Sequence, residues 1–340
     1  MKFDFVIGNP PYQDETLGDN DTYAPPVYNL FMDSAYEVGD KVELVHPARF
    51  LFNAGSTPKA WNDKMLHDEH FKVLEYEEDC TKLFSNTDIK GGIAITYRDA
   101  KNVFGAIDIF TPYVELNQII HKVLSNNFRS LMDYVFIQNR FNLEALYSKH
   151  PQFKKNIGSD GKDPRFEKNI FTKIPLFSDE HNSSYILTLG VNDNKRTTKY
   201  IPEEYVDFQH ENLLKYKVVL TCANGNGEFG QILSGMEILE PREAYTRSFI
   251  GIGQCETKEE AFAIKKYLSS KFARALLSVL KVTQMNNKPV WKYVPLQDFS
   301  NNSDIDWSKT VSEIDKQLYK KYGLSQEEIE FIETHVKEMA

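Results

Sequence analysis

The chain has few cysteines, no long apolar run and no excess of positive charge. Its 340 residues include three cysteines, Cys80, Cys222 and Cys255, whose odd number and wide spacing exclude a disulfide framework and a zinc knuckle. No stretch approaches the roughly 18 apolar residues that span a bilayer, so we expect no membrane partner. No basic leader followed by an apolar segment opens the sequence, which predicts a cytoplasmic protein. A composition of 41% hydrophobic and 26% charged residues is typical of a globular chain long enough for two domains.

The net charge of −9 is unevenly distributed along the chain. Residues 1–120 have a net charge of −10, residues 121–300 one of +5 and residues 301–340 one of −4. The overall charge argues against a nucleic-acid partner, whereas the basic middle block retains the cations that such a partner requires.

The first block alternates short apolar runs with segments of helical spacing, which predicts an α/β fold with an open, mostly parallel sheet and helices on its faces. The second block is rich in turns, with short strands such as Ser184 to Leu189, and predicts an α+β domain with one long helix from Lys258 to Leu280. A charged helix over 324–338, capped by Ser325, closes the chain. We therefore predict domains at 1–124 and 125–300, followed by an acidic helical tail at 301–340.

The segment with the clearest chemistry comes directly after the first apolar strand and reads Gly8-Asn9-Pro10-Pro11-Tyr12. Two consecutive prolines lack amide donors and restrict their own torsions, so the chain makes a stiff turn at the carboxyl end of the strand, where ligands bind in open α/β sheets. The side-chain oxygen of Asn9 and the carbonyl of Pro10 can accept both hydrogens of a planar amino group, and Tyr12 can stack on its ring. This arrangement predicts chemistry at an aromatic amine.

Residues 4–12 resemble the catalytic motif of the S-adenosylmethionine-dependent adenine-N6 DNA methyltransferases. Three further segments, residues 22–31, 44–51 and 83–93, are similar in the same order to the large restriction–modification methylases of bacterial type II systems. The resemblance implies a partial Rossmann-like methyltransferase sheet with a target-recognition domain after it. It also implies a reaction that flips an adenine out of double-stranded DNA and methylates it.

The resemblance also assigns roles to individual residues. Asn9, Pro10, Pro11 and Tyr12 form the catalytic segment, Tyr12 stacks on the flipped base, and Phe84 supplies its other face or edge. Gly8, Pro47 and Phe50 are placed beside the cofactor, S-adenosylmethionine. No metal is implied. His46 and His121 sit among apolar residues and are interpreted as structural histidines rather than ligands.

The glycine-rich cofactor loop of the family precedes the catalytic motif, which begins at residue 9 here. We therefore expect an incomplete cofactor site that a second polypeptide completes, or a truncated enzyme. A permuted loop is the alternative, and residues 218–230 with Glu240 offer a strand, Gly-x-Gly and an acid. The interval before Pro241 is too short for a crossover helix, which favours assigning this stretch to target recognition.

The basic block supplies candidate DNA contacts. Clusters of cations in turn-rich stretches suit phosphates, and amide side chains suit base edges. The predicted contacts are Lys154, Lys155, Lys162, Arg165, Lys195, Arg196, Asn226, Gln284 and Lys288.

Three function classes remain open from the sequence. The first is an adenine-N6 DNA methyltransferase component with a companion restriction nuclease as a further partner. The second is a methyltransferase for another planar amine, an RNA adenine or a protein glutamine. The third is a DNA-binding specificity protein or split-enzyme subunit without methyl transfer of its own.

Overall fold

A computed structural model of the chain describes residues 2–14, 24–52, 56–84, 89, 91–281 and 283–339. The chain divides into two compact units, Met1–Asn117 and Gln118–Ala340. This division falls seven residues before the predicted boundary at 124. Residues 301–340 belong to the second unit.

The first unit alternates strands with helices, as its sequence pattern predicts. The strands are β1 Phe3–Gly8, β2 Gly39–Pro47, β3 Phe71–Glu77 and β4 Ile93–Asp99, and the helices are α1 Tyr28–Val38, α2 Lys59–Leu66 and α3 Val114–Leu124, which runs across the division. The α/β class is confirmed.

The four strands form one sheet in the order β1-β2-β4-β3, and only β1 and β2 are parallel. The β2–β4 and β3–β4 pairs are antiparallel, so the expectation of a mostly parallel sheet is wrong. A parallel pair needs a crossover connection, usually a helix, whereas the described residues between β3 and β4 contain only a short 3-10 turn, Cys80–Lys82. Apolar patterning identifies strands but does not specify their direction.

One face of this sheet is covered and supports the unit. Alternate side chains of β2, such as Val42 and Leu44, pack against Met32 of α1 in a core that also holds Trp61 and Phe71. The other face carries Phe3, Phe5 and Ile7 of β1, which are 55%, 62% and 74% exposed. β1 is therefore an edge strand with one apolar face open in the part of the chain that the structure describes.

The second unit is a mixture of short strands and helices, as predicted. Its strands are β5 Val135–Phe136, β6 Tyr185–Asn192, β7 Lys195–Pro202, β8 Tyr216–Thr221, β9 Glu237–Leu239, β10 Glu243–Tyr245 and β11 Phe249–Cys255. Its helices after α3 are α4 Leu143–Lys149, α5 Gly158–Gly161, α6 Ile170–Lys173, α7 Lys258–Ser269, α8 Lys271–Ser278, α9 Val311–Lys321 and α10 Gln326–His335. The strands form two sheets, in the orders β10-β6-β7 and β5-β11-β8-β9.

The single long helix predicted from Lys258 to Leu280 is two helices. Ser270 has an extended backbone (φ −63°, ψ 147°), which interrupts the helix, and its hydroxyl caps α8 by accepting a bond from the amide of Ala273 at 3.1 Å. The apolar spacing continues through the break, so periodicity alone could not detect it. The predicted helix at 324–338 is confirmed as α10, with Ser325 and Glu328 in a capping box.

The C-terminal residues pack onto α8 through a buried carboxylate. Asp315 of α9 is 2% exposed and accepts hydrogen bonds from the backbone amides of Lys271 (3.0 Å) and Phe272 (2.9 Å). These amides belong to the first turn of α8, whose donors have no partner within the helix. A second contact is the salt bridge between Lys122 of α3 and Glu328 of α10, at 2.6 Å. Residues 301–340 are thus fixed to the rest of their unit by specific polar contacts.

We predict that Asp315→Ala lowers the free energy of unfolding by roughly 1–3 kcal/mol, because two buried amide donors lose their acceptor. Asp315→Asn keeps one acceptor oxygen and should give an intermediate value. Urea unfolding measures both variants, with exposed neighbour Lys316→Ala as the control. Equal stabilities of the three variants would show that the Asp315 bonds contribute nothing.

Candidate active site

The predicted catalytic turn lies at the carboxyl end of β1, immediately after Gly8. Backbone bonds hold it against the start of α1, since the carbonyl of Tyr12 accepts a bond from the amide of Val27 at 3.1 Å. The amide of Asp14 donates to the carbonyl of Pro25 at 2.9 Å. A turn without amide donors at Pro10 and Pro11 is therefore anchored by the residues on its C-terminal side, and Asn9 remains exposed.

The two predicted base-stacking rings lie in contact. The centroids of Tyr12 and Phe84 are 6.4 Å apart and their planes meet at 77°, an edge-on arrangement. Rings at this angle cannot sandwich a flat base, so Phe84 presents an edge beside Tyr12. Burial raises the pKa of Tyr12, and the Asn9 side chain lies close enough to its hydroxyl to oppose that rise, but outside hydrogen-bonding geometry. The structure thus brings together Asn9, Tyr12 and Phe84 from two distant segments.

The residues predicted beside the cofactor have different environments. A β-carbon at Gly8 would meet only Leu44, at 3.6 Å, so the glycine is not required for space. Pro47 ends β2, the parallel neighbour of β1, and is buried. Phe50 is fully buried and packs edge-on against Trp61 at 5.1 Å, so it supports the sheet from behind and cannot touch a ligand.

A buried polar group stands behind the catalytic turn. The ring of His46 stacks on Tyr28 (5.8 Å, 5°), and its Nε2 lies 2.7 Å from the hydroxyl of Thr96. Burial lowers the pKa of His46 to about 4 and raises that of Tyr28 to about 12, so both are neutral at pH 7. His46 is confirmed as a structural histidine. His121, by contrast, is exposed on α3, so the structure does not enclose it among apolar residues as the sequence pattern suggested.

Tyr28 was missed by the sequence reasoning. It comes after Val27, whose amide holds Tyr12, and so connects the catalytic turn with the core of the unit. The signal available in the sequence was an aromatic residue near the start of a segment with helical spacing, which is too common to single out.

Two of the four predicted DNA contacts between 154 and 165 lie in one short turn. Lys154 and Lys155 are in the segment Pro151–Asn156 and border a shallow surface cavity with Asp160. Lys162 is exposed after α5. Arg165 makes a two-pronged contact with Asp163 (2.6 and 2.7 Å), so part of its charge is neutralised within the chain.

Of the remaining predicted contacts, Asn226 and Gln284 lie on segments beyond the end of β8, and Arg196 contacts the segment before β9. Arg196 is paired with Glu237 and donates to the carbonyl of Gly235, whereas Lys195 has no ion pair among the described residues. The Asn226 amide donates to Glu228 at 2.8 Å and is used in its own turn. Gln284 is exposed and Lys288 is half-buried.

The permuted cofactor loop is not formed. The strand in question, β8, pairs antiparallel with both β9 and β11, and no helix lies between Gly230 and β9. A dinucleotide-type loop requires a parallel strand reached through a helix, so this segment has another role.

Residues 1–84 match the Eco57I restriction-modification methylase family. An uncharacterised adenine-specific methylase of Mycoplasma pneumoniae is 30% identical over 95 residues, which are 27% of this chain and 22% of that protein. Among solved structures, the type IIL restriction-modification enzyme MmeI in complex with DNA aligns with 97% of this chain and 56% of its own, at 9% identity and a TM-score of 0.40. The chain therefore spans less than a quarter of that methylase relative and about half of that solved chain.

The family match confirms the resemblance inferred from the catalytic motif and the segments after it. It ends at residue 84, so it includes Asn9, Tyr12 and Phe84 and none of the predicted DNA contacts. No described group of three or more histidine, cysteine or acidic side chains is arranged to hold a metal, and no described helix is both long and apolar enough to cross a membrane. The roles of the individual residues stay predictions.

We predict that His46 makes the stability of the first unit depend on pH. Its pKa is about 4 in the folded chain and near 6.5 when unfolded, so the unfolded chain binds the additional proton between these values. The contribution of neutral His46 to the free energy of unfolding is therefore complete above pH 6.5. It decreases by up to roughly 3 kcal/mol as the pH falls from 6.5 through 4.

Thermal unfolding of His46→Gln between pH 4 and 7 measures this loss as a difference from the parent chain. His67→Gln is the matched control, because His67 is exposed. The parent and His46→Gln chains should converge in stability at low pH. A constant difference between them would contradict the assignment.

Proposed function

We propose that this chain is the catalytic-turn and target-recognition part of an S-adenosylmethionine-dependent adenine-N6 DNA methyltransferase of a restriction–modification system. The observation that carries the proposal is the stiff Asn9-Pro10-Pro11-Tyr12 turn at the carboxyl end of β1, with Phe84 against Tyr12. The restriction–modification methylase match over residues 1–84 supports it.

The proposed chemistry needs three tasks from the chain. The Asn9 side-chain oxygen and the Pro10 carbonyl accept the two hydrogens of the adenine amino group, which directs the nitrogen lone pair out of the ring system. Tyr12 stacks on the extruded base, and Phe84 closes one side of it, offsetting part of the few kcal/mol that unstacking costs. S-adenosylmethionine supplies an electrophilic methyl group. As the N–C bond forms, the bond between the methyl group and the sulfonium sulfur would break, S-adenosylhomocysteine would leave, and the amino nitrogen would give up one proton to solvent.

The described residues fit only one side of such a cofactor site. They provide the turn and the buried end of β2, but no glycine-rich loop between a parallel strand and a helix. In parallel sheets the crevice between the carboxyl ends of neighbouring strands binds the ligand, and β1 has its only described neighbour in β2. A further strand that is parallel to β1 and connected through a helix would complete the crevice, and its helix would cover Phe3, Phe5 and Ile7.

Double-stranded DNA is the proposed substrate. The basic block of residues 121–300 places exposed lysines in a turn-rich unit, and cations in such loops suit phosphates. A methyltransferase for a protein glutamine or an RNA adenine would use the same acceptor pair, but the net charge of +5 in residues 121–300 favours a nucleic acid over a protein substrate. A DNA-binding subunit without methyl transfer is the second candidate, favoured by the partial cofactor site.

We predict that Asn9→Ala lowers methyl transfer to unmethylated duplex DNA by at least roughly 100-fold, because one of the two amino-group acceptors is lost. The assay measures transfer of labelled methyl groups and maps the modified adenines, with and without the proteins encoded beside this chain. DNA binding should be retained, since Asn9 is exposed and the predicted DNA contacts lie in other segments.

Gln13→Ala, an exposed amide four residues away, is the control and should transfer methyl groups normally. Loss of DNA binding together with transfer in Asn9→Ala would show a structural role for Asn9. Absence of transfer by the unaltered chain under every condition would favour the non-catalytic subunit.

We predict that Lys154→Gln with Lys155→Gln weakens DNA binding and reduces its salt dependence. Each lost phosphate contact lowers the slope of log affinity against log salt by about one, so the pair should lower it by about two. Titrations at several salt concentrations measure the slope. Lys316→Gln with Lys320→Gln removes two exposed lysines of α9 and should leave it unchanged. An unaltered slope in the Lys154/Lys155 variant would remove these residues from the interface.

A further inference from the structure

The second unit presents a short exposed segment, Thr283, Gln284 and Met285, beyond the end of β8. All three residues are exposed, and Met285 is 40% exposed although it is apolar. The Gln284 side-chain amide makes no hydrogen bond to another described residue. We call these three residues the tip.

The tip is held on a rigid support rather than on a free loop. Met285 forms an antiparallel bridge with Ala223, and the Gln284 carbonyl accepts a bond from the amide of Asn224 at 2.8 Å. The next residue, Asn286, is fully buried, and its amide donates to the carbonyl of Cys222 at 2.8 Å. These bonds extend the β8 strand pairing by one short segment.

A buried cation joins the two halves of this support. Lys281 is 2% exposed, and its ammonium group donates to the carbonyls of Asn224 (2.8 Å) and Thr283 (3.0 Å). Burial lowers the pKa of Lys281, and the two carbonyls satisfy its buried amino group by hydrogen bonds. One side chain therefore fixes the spacing between residue 224 and the tip.

Three cationic residues lie on segments next to Cys222 and Asn224, whose backbone groups pair with the tip and with Asn286. The carbonyl of Arg247 accepts a bond from the Cys222 thiol at 3.2 Å, and Lys168 acts on the same thiol electrostatically. Arg196 contacts Gly235, whose neighbour Ser234 binds the Asn224 side chain at 2.9 Å. Arg247 is paired with Glu167, and Arg196 is paired with Glu237. Lys168 has no ion pair among the described residues.

We infer that the tip enters a groove of duplex DNA, where the Gln284 amide contacts a base edge and Lys281 is the positioning residue that holds it. A glutamine amide carries a donor and an acceptor side by side, which matches the N6 and N7 atoms of adenine in the major groove. The exposed Met285 suits an apolar contact such as a thymine methyl group. Lys168, which has no ion pair among the described residues, suits a phosphate, a contact that carries no sequence information. This inference rests on the proposed binding of DNA by the second unit.

The test is selection of bound sequences from a pool of random duplexes by the full chain. The unaltered chain should enrich one sequence, and Gln284→Ala should lose roughly tenfold discrimination at one base pair while keeping the other preferences. Its affinity for an arbitrary duplex should change little, because the phosphate contacts remain. Gln326→Ala, an exposed amide at the start of α10, is the matched control and should select the parent sequence.

The positioning role of Lys281 is tested separately, by the base preference of a Lys281 variant. Lys281→Met should weaken preference at the same base pair as Gln284→Ala, and the double variant should resemble Gln284→Ala alone, because both changes act on one contact. Independent, additive losses at different base pairs would overturn the role of Lys281. Selection of the parent sequence by Gln284→Ala would overturn the contact itself. A chain that binds no duplex at all would instead reject the DNA partner of the proposed function.

Discussion

The parallel pairing of β1 with β2 is the constraint on which the candidate active site depends. It places the carboxyl ends of two strands side by side, so the turn after Gly8 lies next to the buried segment that ends at Pro47. The prolines make that turn stiff, and the start of α1 anchors it through Tyr12 and Asp14. These few contacts fix the positions of the proposed acceptors, Asn9 and Pro10, and of the stacking ring of Tyr12.

The same pairing explains the exposed apolar face of the first unit. An edge strand of a sheet is normally protected by charge, proline or a covering element, and β1 has Phe3, Phe5 and Ile7 on one face without such protection in the described residues. A neighbouring parallel strand would protect the edge of β1, its crossover helix would bury this face, and the loop between them would lie near the catalytic turn. The exposed apolar residues of β1 and the open side of the proposed cofactor site therefore lie at the same edge of the sheet.

In the second unit, exposed polar groups are held in fixed positions. They are held by buried polar side chains that bind backbone groups, such as Asp315 at the start of α8 and Lys281 beneath the tip. A buried charge without such partners would be costly, so these residues stabilise one loop arrangement over others. Surface loops that are supported in this way suit recognition better than free ones.

Most elements could be predicted from the sequence, because apolar periodicity and capping residues act locally. The strands of the first unit, α1 and the Ser325 cap of α10 are examples. The antiparallel direction of β4 and the break at Ser270 could not be predicted, because strand pairing and a cap inside a continuous apolar pattern depend on distant partners. Phe84 could be proposed for the site by resemblance, whereas the edge-on angle of its ring to Tyr12 and the role of Tyr28 emerged only from the packing.

The sequence by itself determined the stiff turn, since proline torsions and missing amides need no partner. It also determined the separation of a basic middle block from acidic ends. Only the tertiary structure decided which of the predicted side chains are available. Phe50 is enclosed by the core, Arg165 and Arg196 are engaged by carboxylates, Asn226 is used in its own turn, and Gln284 is left exposed. The reason is physical: a residue's type sets what it can bond, but its neighbours in space decide whether that capacity is already used.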